Sequence, residues 1–222
     1  MILNSSISVP VLGLAAGLIG TGAAAAHPHV FAESRMEIVG TPDGSLGAVR
    51  NVWRMDEFFS STVLVDFDAN ADGTLDASEL DEVAGTVKAS IAEWSFYTFV
   101  SAGGRRVKMA PPDEIRAIFE DGQLLMFFEM RADEPIDLAA QPLTFSNFDD
   151  TFFVAFDFAG EDAFALVDMP DGCSKSFVVP DEDEAAKAWM ESIASLGPDE
   201  TVPDDGVDYS QILATRLEVK CG

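Results

Sequence analysis

Residues 68–79 read DANADGTLDASE. An EF-hand loop takes oxygen ligands from positions 1, 3, 5, 7, 9 and 12 of a twelve-residue run, and needs glycine at position 6 for a sharp turn. Asp68, Asn70, Asp72, Thr74 through its carbonyl, Asp76 and Glu79 fill those slots in register, with Gly73 at the turn. Leu75 holds the eighth position, where an apolar side chain can anchor the loop on a core. Carboxylates at this spacing repel one another without a cation, so the run predicts a calcium site; the plainer reading is an acidic turn that binds nothing. The flanks agree with the loop. Phe59, Val63 and Phe67 before it, and Leu80, Val83, Val87, Ile91 and Trp94 after it, recur at three- or four-residue steps, which predicts a helix on each side and a helix–loop–helix over about 56–95. No second loop follows. A solitary hand suits a structural or weak site, of the kind that extracellular modules fill at roughly 0.1–1 mM.

Around this insertion the pattern is that of strands. Residues 30–39 and 46–55 flank Thr41-Pro42-Asp43-Gly44, residues 96–100 and 105–109 flank Gly103-Gly104, and residues 114–119 and 124–130 flank Asp121-Gly122. Each reads as a hairpin. A fourth is expected from 152–158 and 164–169 across Gly160-Glu161-Asp162, with 143–148 as an edge strand before it. Residues 181–196 have helical composition with acids in the first turn, 197–209 read as a loop, and 213–219 as a last strand. The expected fold class is α+β: one antiparallel, β-rich, sandwich-like domain over 27–222, with the EF-hand-like insertion and a late C-terminal helix.

Residues 9–20 are almost wholly apolar and run into the small-residue stretch 21–26, which predicts a secretory signal peptide over 1–26 and a periplasmic protein. The usual positive start is missing, since residues 1–8 contain no Lys or Arg. The run is also short of the ~20 residues that a membrane span needs, and no later stretch is long and apolar enough, so the mature chain is expected not to cross a membrane. The only two cysteines, Cys173 and Cys221, are expected to form a disulfide, as an even count in an exported chain suggests. Closing a loop of about 48 residues is worth on the order of 4 kcal/mol. No charge falls within 1–26, so the whole net charge of −26 belongs to the remainder, a surface that repels nucleic acid and attracts cations.

His27-Pro28-His29 contains both histidines of the chain. Pro28 favours an extended backbone, in which the two imidazoles point to one side about 6.6 Å apart, close enough to share a metal ion. A pair of polar residues at a frayed terminus is the competing reading. The order AHPHVF, then MDEFF leading into DFDANADGTLDASEL and on to WSFYTFV, closely resembles the bacterial periplasmic family catalogued as domain of unknown function one thousand and seven. Its members are periplasmic components of uncharacterised transport systems, often found with membrane permeases of the nickel, cobalt and zinc type. The resemblance implies a metal-handling accessory protein, with His27 and His29 on the family's HPH positions and a permease as partner. Many relatives have Asp-Pro before an aromatic strand where this chain has Asp149-Asp150 ahead of Thr151.

The functional expectation is therefore capture of a transition metal by His27 and His29, zinc first and nickel or cobalt as alternatives, with Asp149 and Asp150 as weak further ligands and a structural calcium in the loop. The alternative is a calcium-stabilised interaction domain in which HPH is incidental. An enzyme is not expected. An N-terminal copper brace needs a remote histidine that the chain lacks, a square-planar terminal site needs an N–H that Pro28 lacks, and no nucleophile with a neighbouring base is visible.

Overall fold

The computed structural model describes residues 28–151, 153–181, 183, 187 and 214–222. The expected signal peptide, His27, most of the expected late helix and the 197–209 loop lie outside them.

Two sheets share a core. The first hairpin forms as expected: β1 (Val30–Gly40) and β2 (Leu46–Met55) pair antiparallel, with Ala32 opposite Met55 and Ile38 opposite Val49. Alternation decides which way each side chain points. The even residues of β1 face inward and are buried, while Phe31, Glu33 and Arg35 face solvent. Without a linker, β2 runs into α1 (Glu57–Phe67), and α2 (Ala77–Ser90) follows. Then come β3 (Thr98–Ala102), the two-residue β4 (Arg105–Arg106), β5 (Ile115–Glu120), β6 (Gln123–Met130), β7 (Leu143–Asn147), β8 (Val154–Asp157), β9 (Phe164–Val167), β10 (Ser174–Val178) and β11 (Arg216–Lys220). The six-stranded sheet has the order β5-β6-β2-β1-β8, with β9 also on β1; the five-stranded sheet has the order β10-β11-β7-β3-β4.

The inner face of the first sheet is covered in two halves. One half, with Trp53, Met126 and Phe128, packs under Val63 of α1 and Val83 of α2. The other half, with Met36, Ile38 and Val49, packs on Val100, Phe145 and Leu217 of the second sheet. A polar knot sits among these aromatic and aliphatic side chains. Buried Asn147 accepts from Ser34 Oγ at 2.6 Å and Trp53 Nε1 at 3.4 Å. It donates to Asn51 Oδ1, Tyr97 O and Thr98 Oγ1 at 3.0, 3.1 and 3.2 Å. Asn51 Nδ2 is buried with no partner among the described residues.

Two expectations about strands are corrected, and one strand forms that was not expected. The segments expected as a fourth hairpin do not pair with each other: β8 and β9 lie one after the other along β1, both parallel to it, at Val30–Glu33 and Met36–Val39. The reason is length. An eleven-residue edge leaves a row of unpaired backbone groups that a four-residue strand cannot cover, and β9 covers the rest. Residues 143–147 are not an edge strand but the middle of the second sheet, between β11 and β3. Strand β10, unforeseen in the sequence, pairs with β11, and beyond that pair the expected Cys173–Cys221 disulfide closes.

The knot gives a test of this packing. Asn147→Ala removes one side chain but leaves Ser34, Asn51 and the Trp53 indole N–H buried without their partner, so it should cost about 3 kcal/mol or more. Urea unfolding with an unchanged slope checks it, and a loss below about 1 kcal/mol would show that the knot is dispensable.

Candidate functional site

The loop is built from its two helices inward. Asp56 caps α1, accepting from Phe59 N at 2.9 Å, and its other oxygen accepts from Phe31 N at 2.8 Å. One carboxylate thus ties the helix start to β1. Buried Ser60 accepts from Leu124 N at 2.9 Å and fixes α1 to β6. At the far end Asp76 caps α2 in a capping box with Glu79, an arrangement that satisfies two orphan N–H groups at once.

Between the caps the backbone turns through Ala71 at φ +58° and Gly73 at φ +82°, the second being the position where the ligand spacing requires glycine. Leu75 is buried, as the eighth position demands. The carboxylate and amide oxygens bind the loop's own donors. Asp68 accepts from Asp72 N and Gly73 N, Asn70 from Asp72 N, and Asp72 from Thr74 N and Oγ1. Glu79 is buried, with Oε1 on Ala69 N at 2.9 Å and Oε2 on Asp76 N at 2.8 Å. It therefore reaches across the loop and ties position 12 to positions 2 and 9. Among the described residues no three His, Cys, Asp or Glu side chains converge as metal ligands.

The second expected site lies at the start of β1. His29 is exposed, donates its backbone N–H to Phe153 O at 2.9 Å and rests its ring on Phe153, with centroids 5.1 Å apart. Because β8 runs parallel to β1 with Val154 beside Val30, the 149–153 turn is brought to this end of the sheet. The two acids in that turn differ. Asp149 is 2% exposed, and both its oxygens serve the turn, accepting from Thr151 N, Thr151 Oγ1 and Val154 N. Asp150 is exposed. Asp149 is therefore a brace for the turn, and Asp150 is the acid left facing water.

Tyr97 was not singled out by the sequence. Ser95, Phe96 and Tyr97 all have positive φ, at 53°, 51° and 46°. Left-handed backbone costs L-residues roughly 1–2 kcal/mol each, and here it is offset by burying Phe96 and Tyr97 in the core. The Tyr97 hydroxyl is pushed up to about 12, first by burial and then by the carboxylates of Asp149, Asp150 and Glu93. A tyrosine inside an aromatic run carries no spacing signal, so only the fold shows that it faces these acids.

A two-sheet α+β protein with a helix–loop–helix packed on one face of the first sheet is thus the class that the structure defines. The chain belongs to the family described as protein of unknown function (DUF1007), whose family model matches residues 12–221. It is also 24% identical over 200 residues to an uncharacterised protein of Haemophilus influenzae, covering 88% of this chain and 91% of that one. Among the described residues no helix is long and apolar enough to cross a membrane.

Two measurements separate the roles assigned here. Asp149→Ala should lose about 2–3 kcal/mol in urea unfolding, because three donors lose their acceptor, whereas Asp150→Ala should stay within about 0.5 kcal/mol. Equal effects would show that Asp149 is not the brace. Asp72 is held below its ordinary 3.8 chiefly by the Thr74 hydroxyl, and Asp76 chiefly by the Ser78 hydroxyl. A carboxylate depressed in the folded state favours folding above its unfolded pKa and loses that contribution as pH falls through the folded value. Carboxyl-carbon NMR should accordingly place both midpoints below 3.8, and Thr74→Val should bring that of Asp72 back up.

Proposed function

We propose that this is a periplasmic metal-handling protein. It takes up a transition metal, zinc first and nickel or cobalt as alternatives, at the His27–His29 end, and passes it to a membrane permease. The observation that carries this reading is the parallel placement of β8 on β1, which sets exposed His29 and exposed Asp150 at the same end of one sheet. Zinc takes imidazole nitrogen and carboxylate oxygen together. An ion that has to be handed on is better held by few, exposed ligands than by a closed set of four. Neutral imidazole is the binding form, so protons compete with the metal for this site.

The 68–79 loop is proposed as the calcium site. Its donors fit a hard cation in identity and order, with Asp68, Asn70, Asp72, Asp76, Glu79 and the Thr74 carbonyl as ligands. The left-handed turn at Gly73 and the buried anchor Leu75 support that assignment. Calcium would neutralise acids that the free loop holds only by its own N–H and hydroxyl groups, and Glu79 would exchange its bonds to Ala69 and Asp76 for the ion. The interaction-domain alternative has one observation in its favour. Phe31, Phe58 and Phe153 are exposed at 55%, 80% and 45% on the elements around His29, more aromatic surface than a site for an ion alone needs.

Calorimetry on protein purified from the periplasm separates the readings. With calcium saturating, zinc should bind wild type, and binding should be lost in the His27→Ala, His29→Ala double variant without loss of stability. Retained zinc at full stoichiometry would assign HPH to the terminus alone. Independently, calcium at ten times its Kd should add about 1.4 kcal/mol to stability, and Glu79→Gln should remove most of that gain. Identical melting in calcium and in chelator would sink the calcium assignment.

A further inference from the structure

We propose that the outer face of the six-stranded sheet is the surface on which a second copy of this chain docks. The first observation is where the positive charge lies. The chain has 13 basic residues against 39 acidic ones, yet Arg35, Arg50, Arg54 and Arg116 project from this one face, and Arg131 follows it directly at the end of β6. Glutamates interleave with them. Arg35 pairs with Glu33 at 3.6 Å, Arg50 with Glu37 at 3.3 Å and Glu129 at 2.8 Å, and Arg116 with Glu114 at 2.7 Å, while Arg131 also pairs with Glu129. Five arginines against four glutamates, with Asp113 and Glu120 at the rim and Asp157 of β8 beside Glu33, leave this face close to neutral on a molecule of net charge −26.

The register shows how the patch is arranged. One row across β5, β6, β2 and β1 reads Arg116, Phe127, Val52, Arg35, and the next reads Ile118, Leu125, Arg54, Glu33. An apolar centre of half-buried Val52 and Phe127 and the 40% exposed Ile118, floored by buried Leu125, is therefore ringed by charges of both signs, the composition of a protein interface with an apolar core and a charged rim. Beside it, residues 110–114 bound a groove of about 700 Å³ whose wall includes Arg50, Val52, Arg116, Phe127 and Arg131. These ion pairs are mostly exposed and add little to the stability of the single chain, so stability does not explain why the arginines are gathered here.

The occupant follows from the charge. Two molecules this acidic repel each other along most approaches, and a neutral face is where they can meet. A surface mixing both signs is self-complementary about a two-fold axis, since arginines of one copy can face glutamates of the other. An acidic peptide fits less well, because four of the five arginines already have a glutamate beside them; only Arg54 has no ion pair among the described residues. Four strands at about 4.8 Å spacing and some nine residues at about 3.4 Å give a face of roughly 600 Å², near the ~800 Å² per partner of a standard interface.

Sedimentation velocity on the periplasmic protein at about 1–100 µM and physiological salt should show a monomer–dimer equilibrium. Arg54→Glu combined with Ile118→Glu alters two exposed side chains, one of them without an ion pair. It should weaken dimerisation at least tenfold while leaving circular dichroism and melting unchanged. Lys220→Glu makes the same change in net charge as Arg54→Glu, but on the other sheet, and should leave the dimer intact. A wild type that stays monomeric at 100 µM would overturn the proposal. So would a dimer that survives the double change, or a monomer that instead binds polyglutamate through Arg54.

Discussion

The carboxamide of Asn147 is the constraint on which the rest of the structure depends. It belongs to β7 of the second sheet, yet it holds Ser34, Asn51 and Trp53 of the first sheet together with the backbone at Tyr97 and the Thr98 hydroxyl. Apolar packing alone is non-directional and would let two sheet faces slide by a side chain at modest cost. A buried amide with several specific partners does not allow this, because any other register strands polar groups away from water. The same contact explains the left-handed turn at Ser95, Phe96 and Tyr97. The Tyr97 carbonyl has to reach both Asn147 Nδ2 and Phe148 N, while the Tyr97 ring packs against Trp53 and Phe156. Strain in three residues is thereby held by burial and by bonds made elsewhere.

What could be read from the sequence divides along the distance between partners. The hairpins β1–β2, β3–β4 and β5–β6 are joined by short turns with glycine or Asp-Gly signals, and all three form. The parallel strands on β1 are separated from it by more than a hundred residues, and nothing local in 152–169 distinguishes a hairpin from two collinear strands. Only the length of β1 does so, once its edge is known to need covering. Strand β7 reads the same whether at an edge or in the middle. Its position is set by β3 and β11, which bracket it from far away in sequence. The sequence SKSFV of β10 has too little apolar alternation to stand out, and its place is fixed by the partner strand and the disulfide at its end.

The two candidate sites show the same division. The helix–loop–helix was legible because its spacing rules are local: oxygen-bearing residues at fixed steps, a glycine and an apolar anchor within twelve residues, and an apolar stripe on each flank. Its hydrogen bonding was not, since Glu79 could be read as a ligand but not as the side chain that links Ala69 and Asp76. At the other end, Asp149 and Asp150 look equivalent in sequence. The fold separates them, burying one as a brace for the 149–154 turn and leaving its neighbour in water, and it brings Tyr97 toward the same acids from fifty residues away.

Helix α1 connects the two ends. It starts at Asp56, which also holds Phe31 two residues beyond His29, and it ends at Asp68, the first position of the loop. Eleven residues of helix span about 16 Å, so the proposed transition-metal and calcium sites would lie at opposite ends of one rigid element. Signals pass along such an element only if it moves. Here the helix is fixed by the Ser60 bond to Leu124, by Val63 in the core, and toward its end by Leu64 and Phe67, which pack on the same core. Its sheet end is anchored by a polar bond, and its loop end by Leu64, Phe67 and buried Leu75 as well as by the loop's own hydrogen bonds. An ion in the proposed calcium site would tighten a helical pair already packed on the core without displacing β1, so that calcium would support the scaffold and the proposed site at His29 would act independently of it.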